Sequence, residues 1–146
     1  MQNVIMVEYQ QLSNIMINVE NYLEKWFETN SFNEENQIKA IAHFVANKMG
    51  GICVTEKCDH FSVNVETSSQ QTVFLFQISK GHCHHRALFF KILLDVLKTN
   101  TKYFKIPCSL HKTKSNGHQH AWNTIKLKNN EFVVDIMHQI GNLKEQ

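Results

Sequence analysis

Three side chains that together can cleave or exchange an amide bond occur in one order along this chain: Cys83, His120 and Asp135. An ordinary thiol has a pKa of about 8.5 and must be made more anionic to attack a carbonyl near neutrality. The first turn of a helix helps, because its N–H groups and partial positive charge favour a thiolate. Cys83 stands where such a helix would begin, and Gly81 just before it would let a substrate backbone come close. His120 would take and return the proton, and Asp135 would hold its other ring nitrogen. The acyl-thioester would then be resolved by water or an amine, so protease, deamidase and transamidase chemistry all stay open. The tetrahedral oxyanion needs fixed donors. The Cys83 backbone N–H is one candidate, and the side chain of Gln77, which closes the apolar run Val73 to Phe76, is a weaker one.

Each residue also has a plainer role. Cys83 alone would more often be a buried structural cysteine; the order with His120 and Asp135 outweighs that. A carboxylate within Val133–Val134–Asp135–Ile136 needs a partner to be worth burying. Arg86 reads first as the partner of a carboxylate. His85 divides evenly between structural hydrogen bonding and support of the site. Asn123 is a strand-edge residue that could orient a base, although Asp135 suits that task better. Gln77 reads first as a sheet or loop residue. A zinc site is a third reading, from Cys53, Cys58 and His60 or from His118 and His120 beside Cys83, but the spacing matches no strong finger pattern. The first reading needs no cofactor.

These side chains must be carried by particular elements. Leu12, Ile15, Val19, Tyr22, Leu23, Trp26 and Phe27 recur at helical spacing. Ser31 with Glu34 resembles a capping box opening a second helix, with Ile38, Ile41, Ala42 and Val45 on one face and Gly50–Gly51 as its stop. Residues 51–70 are undetermined, and Thr67 to Thr72 reads as a flexible loop. The clearest helix starts near Cys83, with Ala87, Phe90, Leu94 and Leu97 in one stripe and Asn100 as its stop. Strands are expected over Tyr103–His111, His120–Lys128 and Glu131–Met137, with a polar loop from Lys112 to Gly117. A tight turn at Asn129–Asn130 pairs Lys128 with Glu131 and puts Asp135 opposite Thr124, four residues from His120. Bringing the carboxylate to the imidazole then requires a bulge. The class is α+β: N-terminal helices, a central helix starting at the cysteine, and an antiparallel sheet.

A chain of 146 residues fits a single domain, residues 1–146. A formal charge of +2 argues against nucleic acid or a membrane surface as partner. No stretch approaches the roughly 20 apolar residues of a membrane span. The start, MQNVIMVEYQQ, lacks a secretory pattern. A cytoplasmic protein with reduced thiols is therefore expected, including one delivered into a host cell as an effector. The expected partner is a protein or peptide substrate.

GHCHHRALFFKILLD, HAWN and EFVVDIM resemble the transglutaminase-like (papain-like) fold, in which Cys, His and Asp come in this order on a helix start and two successive strands. More narrowly, Gly81, Cys83, His85, Arg86, Ala87, Leu88, Phe90, Lys91, Leu93 and Asp95 resemble the regulatory domain of Raf-like plant kinases of ethylene response and disease resistance. Ile106 to Leu110, Val133 to Met137 and Gly141 to Leu143 resemble later parts of that pattern. The likeness spans Ser79 to Leu143, with His82 and His84 departing from it. It implies the fold, and beside a working triad it implies a second function: a regulatory, protein-binding module that keeps the site without turnover.

Overall fold

The computed structural model describes residues 4–53, 62–63, 72–115 and 118–146. Among these residues, three helices stand beside a four-stranded antiparallel sheet, so the α+β class holds. Helix α1 (Tyr9–Thr29) buries Val19 and Leu23, and helix α2 (Glu34–Lys48) buries Ile38, Ile41, Ala42 and Val45, the faces that the spacing marked. The cap of α2 differs from the expected Ser31. Asn33 does the work, its side chain accepting the Asn36 N–H at 2.8 Å. The helix ends where Gly50 and Gly51 adopt φ of +106° and +81°, and the Gly51 N–H reaches the Ala46 carbonyl at 2.7 Å.

Two small ladders flank the helices. Strand β1 (Val4–Met6) pairs in parallel with β3 (Thr72–Phe74), and β2 (Ser62–Val63) pairs antiparallel with β4 (Ile78–Lys80). A 3-10 turn, Leu75–Gln77, separates β3 from β4. Helix α3 (Cys83–Leu97) packs against α2 on one side and the large sheet on the other. That position explains why Phe89 and Leu93 are buried as well as the stripe of Ala87, Phe90, Leu94 and Leu97.

The sheet runs β5 (Cys108–Ser115), β6 (His118–Leu127), β7 (Asn130–Val134), β8 (Leu143–Glu145), in that spatial order. Strand β5 starts after Pro107 rather than at Tyr103, since proline cannot donate to a ladder. Lys112–Ser115, expected as loop, continues β5 and pairs with His118–Ala121. This run carries no apolar alternation, so its polar composition hid it. Strand β8 was not anticipated.

The register decides where Asp135 falls. Lys128 and Asn129 take φ of +50° and +69°, and Leu127 pairs with Asn130 around them. This two-residue hairpin turn lies one position earlier than expected. Val134 therefore pairs with Asn123, and Asp135 follows just past the last pair, so that continuing the register would set it against Trp122 rather than Thr124. The β6–β7 ladder is regular over its pairs, without the expected bulge. Ala121, Asn123 and Ile125 are buried on the face toward α3, while His120, Trp122 and Thr124 alternate onto the other face.

Candidate functional site

The start of α3 is capped by histidines. The His82 ring accepts the backbone N–H of His85, and His85 Nδ1 accepts the His82 N–H at 3.0 Å. This reciprocal pair has the form of a capping box, with imidazoles where Ser/Thr and Glu/Gln are usual, and it seats Cys83 at the first helical position. With Nδ1 accepting, the His85 proton belongs on Nε2. His85 is buried, and burial, reinforced by His84 and His82, pushes its pKa down to about 3. Burial also lowers that of His84, with His82 and Lys112 adding to the effect. The three rings lie with centroids 4.0–5.5 Å apart.

Arg86, expected to pair with a carboxylate, is 4% exposed and spends its guanidinium on main-chain carbonyls. Nε donates to Gly81 at 3.1 Å, one terminal nitrogen to Ile136 at 2.8 Å and the other to Met49 at 2.9 Å. Asp135 supports its charge electrostatically. Gly81 is not an open approach for substrate. A Cβ there would meet Met49 Sδ at 2.7 Å and His85 Cβ at 3.3 Å, so glycine is required by the packing of its loop on the end of α2.

Asp135 opens a turn closed by its own backbone: its N–H donates to Asn142 at 3.0 Å, and its carbonyl accepts from Gly141 at 2.8 Å. One carboxylate oxygen accepts the N–H groups of Met137 (2.8 Å) and His138 (3.0 Å), and the other accepts that of Gln139 (3.0 Å). Burial works to raise the pKa of Asp135, but these three bonds prevail and it lies below the usual carboxylate range. Three of its roughly four acceptor positions are thus used, and no hydrogen bond joins it to His120 among the described residues. His120 is exposed and stacks on Trp122, with ring centroids 5.2 Å apart.

One cavity of about 290 Å³ collects Cys83 and Arg86 from α3, His120 and Asn123 from β6, and Asp135 and His138 from the turn after β7. Asn123 is fully buried. Its Nδ2 donates to the Ala87 carbonyl at 3.0 Å and lies 3.8 Å from Cys108 Sγ, while its Oδ1 has no hydrogen-bond partner among the described residues. Gln77 sits in the 3-10 turn and does not line this cavity.

The thiols differ from the uniformly reduced set expected. Cys53 is disulfide-bonded, whereas Cys83 and Cys108 are in no disulfide. Burial pushes the Cys108 thiol up to about 12, with Lys91 opposing the shift. No group of three or more His, Cys, Asp or Glu is placed to hold a metal ion among the described residues. Of the zinc candidates, Cys58 and His60 lie outside the described residues.

The family model for EDR1/CTR1/ARMC3, peptidase-like, matches residues 1–144. The chain belongs to that family. Armadillo repeat-containing protein 3 of Homo sapiens is 30% identical to it over 130 residues, which cover 76% of this chain and 14% of that protein. The chain therefore spans a small part of that relative's length. No solved structure matches. The EDR1/CTR1/ARMC3 match extends the likeness read between Ser79 and Leu143 to the N-terminal helices, which carried no signature of their own. Among the described residues, no helix of this peptidase-like chain is long and apolar enough to cross a membrane.

Sequence reasoning about this EDR1/CTR1/ARMC3 chain missed three things near the cavity. His111 also stacks on Trp122, with centroids 5.3 Å apart. His138 Nδ1 lies 2.9 Å from the Cys53 carbonyl. The Cys53 N–H donates to Met137 at 2.7 Å, tying the segment after α2 to the Asp135 turn. Period-two spacing from His120 to Trp122 was a usable signal for the first. The other two depend on segments far apart in sequence.

Proposed function

We propose that this chain has a transglutaminase-like, papain-like fold and performs cysteine-dependent amide chemistry on a protein or peptide substrate. The observation that carries this reading is the common cavity: a thiol on the first turn of a helix, an imidazole and an ionised carboxylate line the same space. In the reaction, His120 takes the Cys83 proton and the thiolate attacks the carbonyl carbon. The Cys83 N–H, at the helix start, is the candidate donor to the oxyanion. His120 returns the proton to the leaving amine, and water or a second amine releases the acyl group from sulfur. The fourth acceptor position of Asp135, on the oxygen that holds Gln139, is the one available to orient His120.

A second reading is supported by the same carboxylate. Asp135 is already occupied in building its turn, which suits a regulatory pocket that recognises a protein segment without turnover. Native alkylation with iodoacetamide at pH 7 separates the two. The enzyme reading expects Cys83 to label at least about 10-fold faster than a small free thiol, Cys108 to stay unlabelled, and His120→Ala to abolish the advantage. Labelling at the free-thiol rate, unchanged by His120→Ala, overturns it. A cellular effect that survives Cys83→Ala then supports the binding module.

A further inference from the structure

We propose that Trp122 and His111 are positioning residues for His120, three stacked rings fixing the plane of the base in the cavity that Cys83 also lines. This rests on the enzyme reading above and names how its base is held. The planes are nearly parallel: His111 to Trp122 is 5.3 Å and 19°, and Trp122 to His120 is 5.2 Å and 22°. His111 lies directly across the ladder from Trp122, so backbone pairing sets the first contact. The far end is anchored, because His111 Nε2 meets Thr124 Oγ1 at 2.8 Å and Thr124 is 3% exposed. The near end needs such support. His120 is exposed and no hydrogen bond ties it to Asp135, and an exposed side chain otherwise samples several rotamers.

The stack acts on charge as well as orientation. When the Cys83 S–H bond breaks and the proton forms an N–H bond on His120, the products are a thiolate and an imidazolium. An aromatic face attracts a cation, most strongly for indole. Trp122 therefore offers its face to the imidazolium formed in that step. Among the described residues, the other charged or titratable groups that line the cavities at His120 are Cys83 and Arg86 on α3, Asp135 and His138 after β7, and Lys144 and Glu145 on β8. None is altered by substitution of Trp122, so a changed pH profile isolates the stack.

The test compares the full chain with Trp122→Phe, Trp122→Leu, His111→Gln and His120→Ala, measuring Cys83 alkylation against pH and the proton NMR shifts of the His120 ring. Trp122→Leu is expected to slow alkylation at neutral pH roughly 3- to 10-fold. Trp122→Phe restores most of the rate. The His120 ring protons resonate upfield under the indole and return to ordinary positions in Trp122→Leu. A folded Trp122→Leu with unchanged rate and ring shifts overturns the inference. If that variant fails to fold, His111→Gln carries the test: it keeps the indole, removes the anchored outer ring, and is expected to change the His120 shifts. Failure of the enzyme reading looks different, because the unsubstituted Cys83 would then react as a free thiol and His120→Ala would change nothing. The ring shifts would still decide whether the stack exists.

Discussion

At neutral pH His85 works as an uncharged acceptor inside the start of α3, and that choice has a cost in acid. Its folded pKa of about 3 lies below the ordinary 6.5. Between those values the unfolded chain binds a proton that the folded chain refuses, so stability falls as pH drops through that window. Asp135 adds in the same direction: its depressed carboxylate stabilises the fold above the ordinary carboxylate range, and that contribution is lost as pH falls through its folded pKa. Denaturant titrations at pH 7 and pH 5 are expected to differ by about 2 kcal/mol from His85 alone. His85→Gln, which keeps an acceptor at that capping position, should remove most of the difference. Equal losses in both proteins would refute the assignment. At this scale the shared position of three residues was legible, since Cys83, His120 and Asp135 line one cavity. The roles of Arg86 and Gly81 were not, because each answers to groups across the fold, three carbonyls in one case and the Met49 side chain in the other.

The elements were legible where a repeating pattern defines them and obscure where a single contact does. Apolar spacing marked all three helices, and the double glycine marked the end of α2. The hairpin between β6 and β7 was expected one position late, because Asn129–Asn130 looks the better pair while Lys128 in fact takes the first left-handed position. That one-position difference moved the register position set against Asp135 by two residues, which is why sequence reasoning demanded a bulge. Two substitutions at element ends should separate stability from function. Asn33→Ala removes the cap of α2 and is expected to cost about 1 kcal/mol while leaving Cys83 reactivity unchanged. Gly81→Ala forces a methyl group against the buried Met49 and is expected to cost about 1–3 kcal/mol. Because that loop delivers Cys83, it should also slow alkylation. Thermal melts and alkylation rates of the two variants, measured side by side, check both statements.

The molecule as a whole has one continuous core running from α1 through α2 and α3 to the sheet, and the cavity lies at its margin. Its match to the EDR1/CTR1/ARMC3 family takes in the N-terminal helices, although no candidate catalytic side chain comes from them. Arg86 explains why they are needed: one guanidinium holds the end of α2, the loop before α3 and the turn after β7 at the same time. None of these three segments can drift from the others without stranding a buried cation. The pocket therefore has no melting point of its own. In rising denaturant, tryptophan fluorescence and any enhanced reactivity of the thiol should vanish at a single midpoint, and an earlier loss of reactivity would mean that this three-way clasp can open while the core persists.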